Sequence, residues 1–312
     1  MNGLIGEYGG NLHIPVLAKE VVEGLGCKPG GRYVDCTVGY GGHAALILER
    51  SAPDGQLIGF DQDEAAFRAA GERLRPYGDR VRLVQGNFQE LKQQLRAMGV
   101  EEVDGVMFDL GVSSAQLDEP MRGFSFLADG PLDMRMDQRG SFTAAMLVND
   151  LPEQDLADVI YRYGEERYSR RIARAIVRAR AVRPFVGTLE LAAAIRDAVP
   201  PPYRHGRIHC ATRTFQALRI AVNRELDVLE GALRDAVEML APGGRLCVIS
   251  FHSLEDRIAK QAFRALSRGE DACLSLLTKK PIVASEAERA SNPRARSAKL
   301  RIAERLTLGR AA

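Results

Sequence analysis

Residues 34–44 read VDCTVGYGGHA. An alternating apolar segment, Tyr33, Val34, Cys36 and Val38, runs directly into Gly39, Gly41 and Gly42, and Leu46, Ile47 and Leu48 follow in a helical pattern. The order is strand, glycine turn, helix. Glycine permits the tight turn and lets a ligand approach bare backbone N–H groups at a helix N-terminus. Asp61 follows 22 positions after Gly39, at the end of a second apolar run, LIGFD. An acid at about that distance is placed to accept hydrogen bonds from ribose hydroxyls. The glycine spacing is G-x-G-G rather than the G-x-G-x-x-G of the dinucleotide fingerprint. Alone, the turn suits a dinucleotide, another nucleoside ligand or a purely structural role.

The pattern continues outward from that turn. A short helix is expected over Val16–Leu25, and strands over 32–38, 57–61, 81–85 and 103–109. Helices fill the gaps at 42–50, at 63–75 and through Leu91 and Leu95. This alternation predicts an α/β protein with a parallel, doubly wound sheet. Ligands of such sheets bind at the carboxyl ends of the strands, and Gly39–His43, Asp61, Phe88 and Asp109 all fall there.

Beyond Asp109 the rhythm breaks. Residues 110–150 are rich in Gly, Ser, Asp and Pro; helices are then expected over 153–163, 165–182 and 188–199, with Thr188 as N-cap of the last. A single long amphipathic helix is expected from Phe215 through Leu218, Val222, Leu226, Leu229, Leu233 and Val237 to Leu240, stopped by Pro242-Gly243-Gly244. The strand pattern resumes at 245–251 and returns in the tail at 296–306. The layout predicts a mainly helical domain, 114–214, inserted into a discontinuous sheet domain made of 1–113 and 215–312.

Composition narrows the class without choosing a partner. The 312 residues are 46% hydrophobic and 27% charged, which excludes wholesale disorder. A net charge of +2 neither demands nor excludes nucleic acid, so local charge must decide. Five scattered cysteines, none in a C-x-x-C pair, read as reduced thiols and predict a cytoplasmic protein. The N-terminus lacks the features of a signal peptide, and no apolar run reaches the ~18 residues of a membrane span.

Several constellations carry chemistry. Phe88 is placed either to press on an adenine or to pack in the core. In DLGVSSAQLD, 109–118, an acid at a strand end is followed by two serines. An exocyclic base amine is a poor nucleophile, and acceptors on its hydrogens restore its lone pair. Asp109, with Ser113 or Ser114, is a candidate acceptor set, and the alternative is a glycine-serine turn with a cap. In FSFLADGPLDMRM, 124–136, Phe124 or Phe126 could stack an extruded base or form a small satellite core. Residues 161–183 carry eight arginines against two glutamates, with tyrosines interleaved. That is the composition of an RNA-contacting face, and otherwise of a solvated helix. Arg170, Arg174 and Arg178 share one side of the expected helix. His252, after the strand 245–251, could reach the strand ends. His205, His209 and Cys210 have metal-like spacing without a second half, so no metal is expected.

Taken together the motifs closely resemble the bacterial ribosomal RNA small subunit methyltransferase H family. The likeness runs from HIPVL at 13 to LRIAER at 305 and includes GYGGH, DLGVSS, RGFSF, DGPLDMRM, YGEER, RIARAIV, ATRTFQALRI, ISFHSLEDR and NPRARS. The resemblance implies a class I S-adenosylmethionine-dependent fold with an inserted helical recognition domain. It implies methylation of N4 of a cytosine in the decoding region of 16S rRNA, with the rRNA or the small ribosomal subunit as partner. A homodimer is left open. Carried over by motif, the donor-binding positions are Gly41, Gly42, His43, Asp61, Phe88, Asp109 and Gln116. DNA amino-methyltransferases usually carry an Asn/Asp-Pro-Pro-Tyr turn after the fourth strand. Here Asp109-Leu110-Gly111-Val112 stands instead, which argues against DNA and makes Phe124 or Phe126 the candidate lid. Two other readings are weighed: a Rossmann dehydrogenase, disfavoured by the missing third glycine, and a non-catalytic RNA-binding assembly factor on the same scaffold.

Overall fold

A computed structural model describes residues 15–307. In chain order the elements are α1 (Ala18–Leu25), β1 (Arg32–Asp35), α2 (Gly42–Arg50), β2 (Gln56–Asp61), α3 (Glu64–Leu74), β3 (Val81–Gln85), α4 (Leu91–Ala97) and β4 (Val103–Asp109). There follow α5 (Ser114–Asp118), α6 (Ala144–Asp150), α7 (Glu153–Gly164), α8 (Ser169–Arg180), α9 (Thr188–Ala198), α10 (Pro201–Arg204), α11 (Thr212–Asn223) and α12 (Glu225–Met239). The chain closes with β5 (Leu240–Ser250), α13 (Ser253–Leu266), β6 (Leu274–Leu276), β7 (Ile282–Val283), α14 (Glu286–Ser291) and β8 (Lys299–Arg305). Contacts divide it into two compact units. The first is 1–61, 65–110 and 233–312; the second is 62–64 and 111–232.

The first unit holds one eight-stranded sheet in the order β3-β2-β1-β4-β5-β8-β6, with β7 paired to β8. β1 to β5 are mutually parallel, and β8 runs antiparallel to β5 and β6. This is the doubly wound class I layout, with an antiparallel strand after β5. β1 lies between β2 and β4, so the order reverses there, and that reversal opens a crevice for a ligand. Tyr33, Phe60, Met107 and Phe108 are fully buried in the sheet. Apolar residues of α1, α2 and the returning strands pack with Tyr33 and Met107.

The second unit is helical. Its core joins Phe124, Leu132, Met134 and Met136 of the long loop to Leu156, Ile160, Ile172, Ile176, Leu191, Ile195, Phe215 and Leu218 of the helices. Two expectations need correction. The long helix 215–240 is two helices, because Arg224 adopts a left-handed conformation (φ 51°) between α11 and α12. Arg219 spans the break with an ion pair to Glu225 at 2.9 Å. Asn223 is held by the loop: its amide donates to the Met134 carbonyl, and its Oδ1 accepts the Met136 N–H, both at 2.7 Å. The helical unit also extends past 214 to Ala232, since Phe215 and Leu218 bury their side chains in its core.

Candidate active site

In the first unit, the glycine turn stitches two strand ends together. β1 ends at Asp35 rather than at 38, and from there the backbone bonds alternately to both neighbours. The Cys36 N–H reaches the Met107 carbonyl of β4, and the Val38 N–H reaches the Phe60 carbonyl of β2. The Gly39 N–H donates to Asp61 Oδ2 at 2.9 Å, and the Asp109 N–H donates to Thr37 Oγ1 at 2.6 Å. Both strand-end acids are therefore tied to the turn, Asp61 through Gly39 and Asp109 through Thr37. Sequence reading did not single out Thr37.

The expectation of bare N–H groups in this turn is corrected in part. The Gly39 N–H is spent on Asp61, and the Gly41 N–H donates to Val38 O at 2.7 Å. The N–H groups of Gly42 and His43, in the first turn of α2, are among those without an intrahelical acceptor. The glycines also have different reasons. Gly39 (φ 52°) faces open space, where an added Cβ would meet only the Thr37 carbonyl at 3.8 Å. Gly42 is dictated by packing, because an added Cβ would fall 2.7 Å from Pro15. A ligand cradle is thus consistent with Gly39, while Gly42 serves the fold.

Behind the turn lies a cluster of buried ionisable groups. His43 is 6% exposed, and its Nε2 donates to the Val16 carbonyl at 2.9 Å. Nδ1 is left as the acceptor nitrogen, 3.6 Å from Asp109 Oδ2, too far for a hydrogen bond. Burial pushes the His43 pKa down and keeps the ring neutral. Burial, with the Glu255 carboxylate adding to it, pushes Asp109 up to about 7. Asp35, 1% exposed, is raised to about 7 by its burial. Asp109 Oδ1 is buried with no hydrogen-bond partner. Such an atom costs free energy, and at the carboxyl end of a switch-point strand it is the arrangement expected where a substrate completes the site.

His252 plays a capping role. Its Nδ1 accepts the Glu255 N–H at the start of α13, and Glu255 Oε2 accepts the N–H groups of Phe251 and His252. Its Nε2 lies 3.1 Å from Glu255 Oε1 but makes no hydrogen bond, so proximity there does not amount to a directed contact. Phe88 is half-buried and packs edge-on against Phe108, with ring centroids 5.4 Å apart.

In the second unit, Gln116 sits in a buried polar network. Its Nε2 donates to Asp63 Oδ2 at 2.7 Å, and its Oε1 accepts the Ser113 N–H at 2.9 Å. Arg122 Nη2 pairs with the same Asp63 oxygen at 2.6 Å. Asp63, Gln116 and Arg122 are 3%, 5% and 5% exposed. Ser113 is the N-cap of α5, forming a reciprocal capping box with Gln116. Its side chain therefore has a structural task. Ser114 opens α5.

The aromatic candidates separate. Phe124 is 6% exposed inside the helical core, with the Arg122 guanidinium over its ring, so it offers no face to a base. The lid expectation is corrected for Phe124 by that burial. Phe126 is half-buried between Phe215 and His209, both at 4.8 Å. Arg170, Arg174 and Arg178 are exposed along α8, one turn apart. Sequence reading missed Asp63 and Arg122 because nothing local marks them: their signal is a shared burial that only the folded chain creates.

A family model described as the MraW methylase family matches residues 10–306. A ribosomal RNA small subunit methyltransferase H from Symbiobacterium thermophilum is 52% identical over 310 residues, covering 95% of this chain and 98% of that protein. A protein of the same name from Geobacter sulfurreducens is 55% identical over 307 residues, covering 94% of this chain and 99% of its own.

Proposed function

The chain belongs to the MraW methylase family, and on that premise we propose that it methylates N4 of a cytosine in the decoding region of 16S rRNA, using S-adenosylmethionine. The observation that carries the reading is Asp109: a strand-end carboxylate, tied to the glycine turn through Thr37, with one buried oxygen lacking any partner. When bound, S-adenosylmethionine supplies an electrophilic methyl group on a sulfonium centre. Gly41, Gly42 and His43 at the head of α2, with Asp61 and Phe88, are the residues that would hold it. The open space at Gly39 and the ordered Asp61 carboxylate fit a nucleoside there. Gln116, in the second unit, has its amide engaged with Asp63 and Ser113.

Asp109 accepts the amine proton. Its pKa of about 7 suits an acceptor working near neutral pH. Neutral His43, fixed through Val16, presents an acceptor nitrogen on the Asp109 side and adds no positive charge beside it. The helical unit is proposed to recognise RNA, with Arg170, Arg174 and Arg178 contacting phosphates. Assignment to the cytoplasm follows from an rRNA substrate, and among the described residues no helix is long and apolar enough to cross a membrane.

The test is methylation of rRNA and of small subunits with labelled donor, followed by mass-spectrometric mapping. N4-methylcytosine is expected from the wild type and its loss from Asp109→Ala. A wild type that methylates no cytosine would favour a non-catalytic assembly factor. Wild-type rates in Asp109→Ala would remove Asp109 from the mechanism.

A further inference from the structure

The second unit carries one feature that the arginine helix does not explain. Between α10 and α11 the chain forms a basic loop whose two ends are each pinned by stacked planar groups. At one end the rings of Tyr203 and Tyr168 meet edge to face, 4.9 Å apart. The Arg167 guanidinium lies 4.8 Å from the Tyr168 centroid and 5.1 Å from that of Tyr203. At the other end His209 stacks on Phe126 with its ring tilted 34°.

Both ends are anchored from beneath. Glu166 is completely buried. Its carboxylate accepts the Tyr168 backbone N–H and the Tyr203 hydroxyl, which holds the Tyr168 backbone and the Tyr203 ring. Phe126 leans on Phe215 of the helical core, and His209 Nδ1 accepts the Ala211 N–H. Yet Arg167 and His209 are themselves exposed. Among the described residues Arg167 has no carboxylate partner. Its planar face is held in place while its charge stays unneutralised.

An arginine guanidinium is ordered either by a carboxylate or by stacking on an aromatic face. Here the ordering comes from two aromatic rings supported by a buried acid. His205, Arg207 and Ile208 are exposed along the loop and add positive charge and an apolar contact. Arg204 is instead used on the Val199 and Asp197 carbonyls. Rigid planar faces beside a loop that carries no acidic residue from 203 to 209 are what unpaired nucleobases stack on, whereas a duplex presents mainly phosphates to such a surface.

We propose that the loop Tyr203–His209, with Arg167 stacked at one end and His209 at the other, is a stacking platform for unpaired RNA bases. This rests on the reading of the helical unit as an RNA-binding one. It moves the base-stacking role from Phe126, half-buried against His209 and Phe215, to His209 and Arg167.

The experiment measures fluorescence anisotropy with two RNA probes of equal length: an unstructured pyrimidine dodecamer and the same backbone with abasic sites. Wild-type protein is expected to prefer the base-bearing probe by about tenfold, within the range of single stacking contacts. Arg167→Lys keeps the charge but loses the plane, so that preference should fall severalfold with the salt dependence of binding unchanged. His209→Ala should do the same from the other end. A preference retained in both variants, or absent from the wild type, overturns the platform while leaving RNA binding intact. Failure of the wild type to bind either probe overturns the RNA reading itself. S-adenosylmethionine affinity by calorimetry, expected to be unchanged, shows that the variants are folded.

Discussion

Replacing Arg122 with methionine tests the polar network around Asp63. The pair is almost completely enclosed, with side-chain exposures of 6% and 4% and a separation of 2.6 Å. Arg122 Nη2 also donates to the Arg135 and Met136 carbonyls at 2.9 and 3.3 Å, while its Nε is buried without a partner. Methionine keeps much of the volume but leaves the Asp63 carboxylate without its cation and two loop carbonyls without a donor. Removing one member of a buried pair costs about 3–5 kcal/mol. The second unit is domain-sized, so at about 2–4 °C per kcal/mol the loss lowers its Tm by roughly 6–20 °C. Replacing both partners, Asp63→Leu with Arg122→Met, leaves no orphaned charge and should recover most of that loss. Differential scanning calorimetry of the two single variants and the double variant gives the coupling directly. A loss below about 1 kcal/mol for Arg122→Met, or a double variant no more stable than its worse parent, refutes the claim that this pair anchors the loop.

Further outcomes follow from the same geometry. Asp109 is pushed up to about 7, above its unfolded value, so the unfolded chain ionises first and stability falls as pH rises from about 4 to about 7. Asp109→Asn should therefore raise stability at pH 8 by up to about 4 kcal/mol, with the gain vanishing below about pH 4, while methylation is lost; a gain that does not change with pH contradicts this. Ser113→Ala removes only a cap and should cost about 1 kcal/mol of stability with little effect on kcat; a thousandfold fall in kcat would restore a catalytic role. Replacing Arg170, Arg174 and Arg178 with alanine should weaken RNA binding and flatten its salt slope by about 0.7 for each phosphate no longer neutralised, leaving donor affinity unchanged. An unchanged slope would make α8 a solvated face.

Much of the sheet could be read from the chain, because its signals are local. Short apolar runs marked β2, β3 and β4, and glycine marked the turn after β1. The acids Asp61 and Asp109 were recognisable as strand-end residues, and the arginines of α8 as an exposed cationic row. Capping also has a local rule, and Ser113 with Gln116 at its third position satisfies it, so that structural role was visible beside the catalytic one.

The rest depended on long-range contacts that no window of sequence contains. Periodicity joined α11 and α12 into one helix, because nothing local forbids Arg224 from being helical; the break is set by Asn223 bonding to a loop 87 and 89 residues away. Phe124 and Phe126 stand two positions apart in one motif, yet burial gives the first to the core and leaves the second under His209. The chain by itself determined the strand–turn–helix frame and the identity of the acids at its edge, since both follow from backbone preference and residue chemistry. Only the tertiary structure decided which groups are desolvated together. Asp109 becomes an acceptor poised near neutrality because folding buries one of its oxygens and brings Glu255 close, and Arg167 becomes a rigid plane because folding places Tyr203 beside Tyr168.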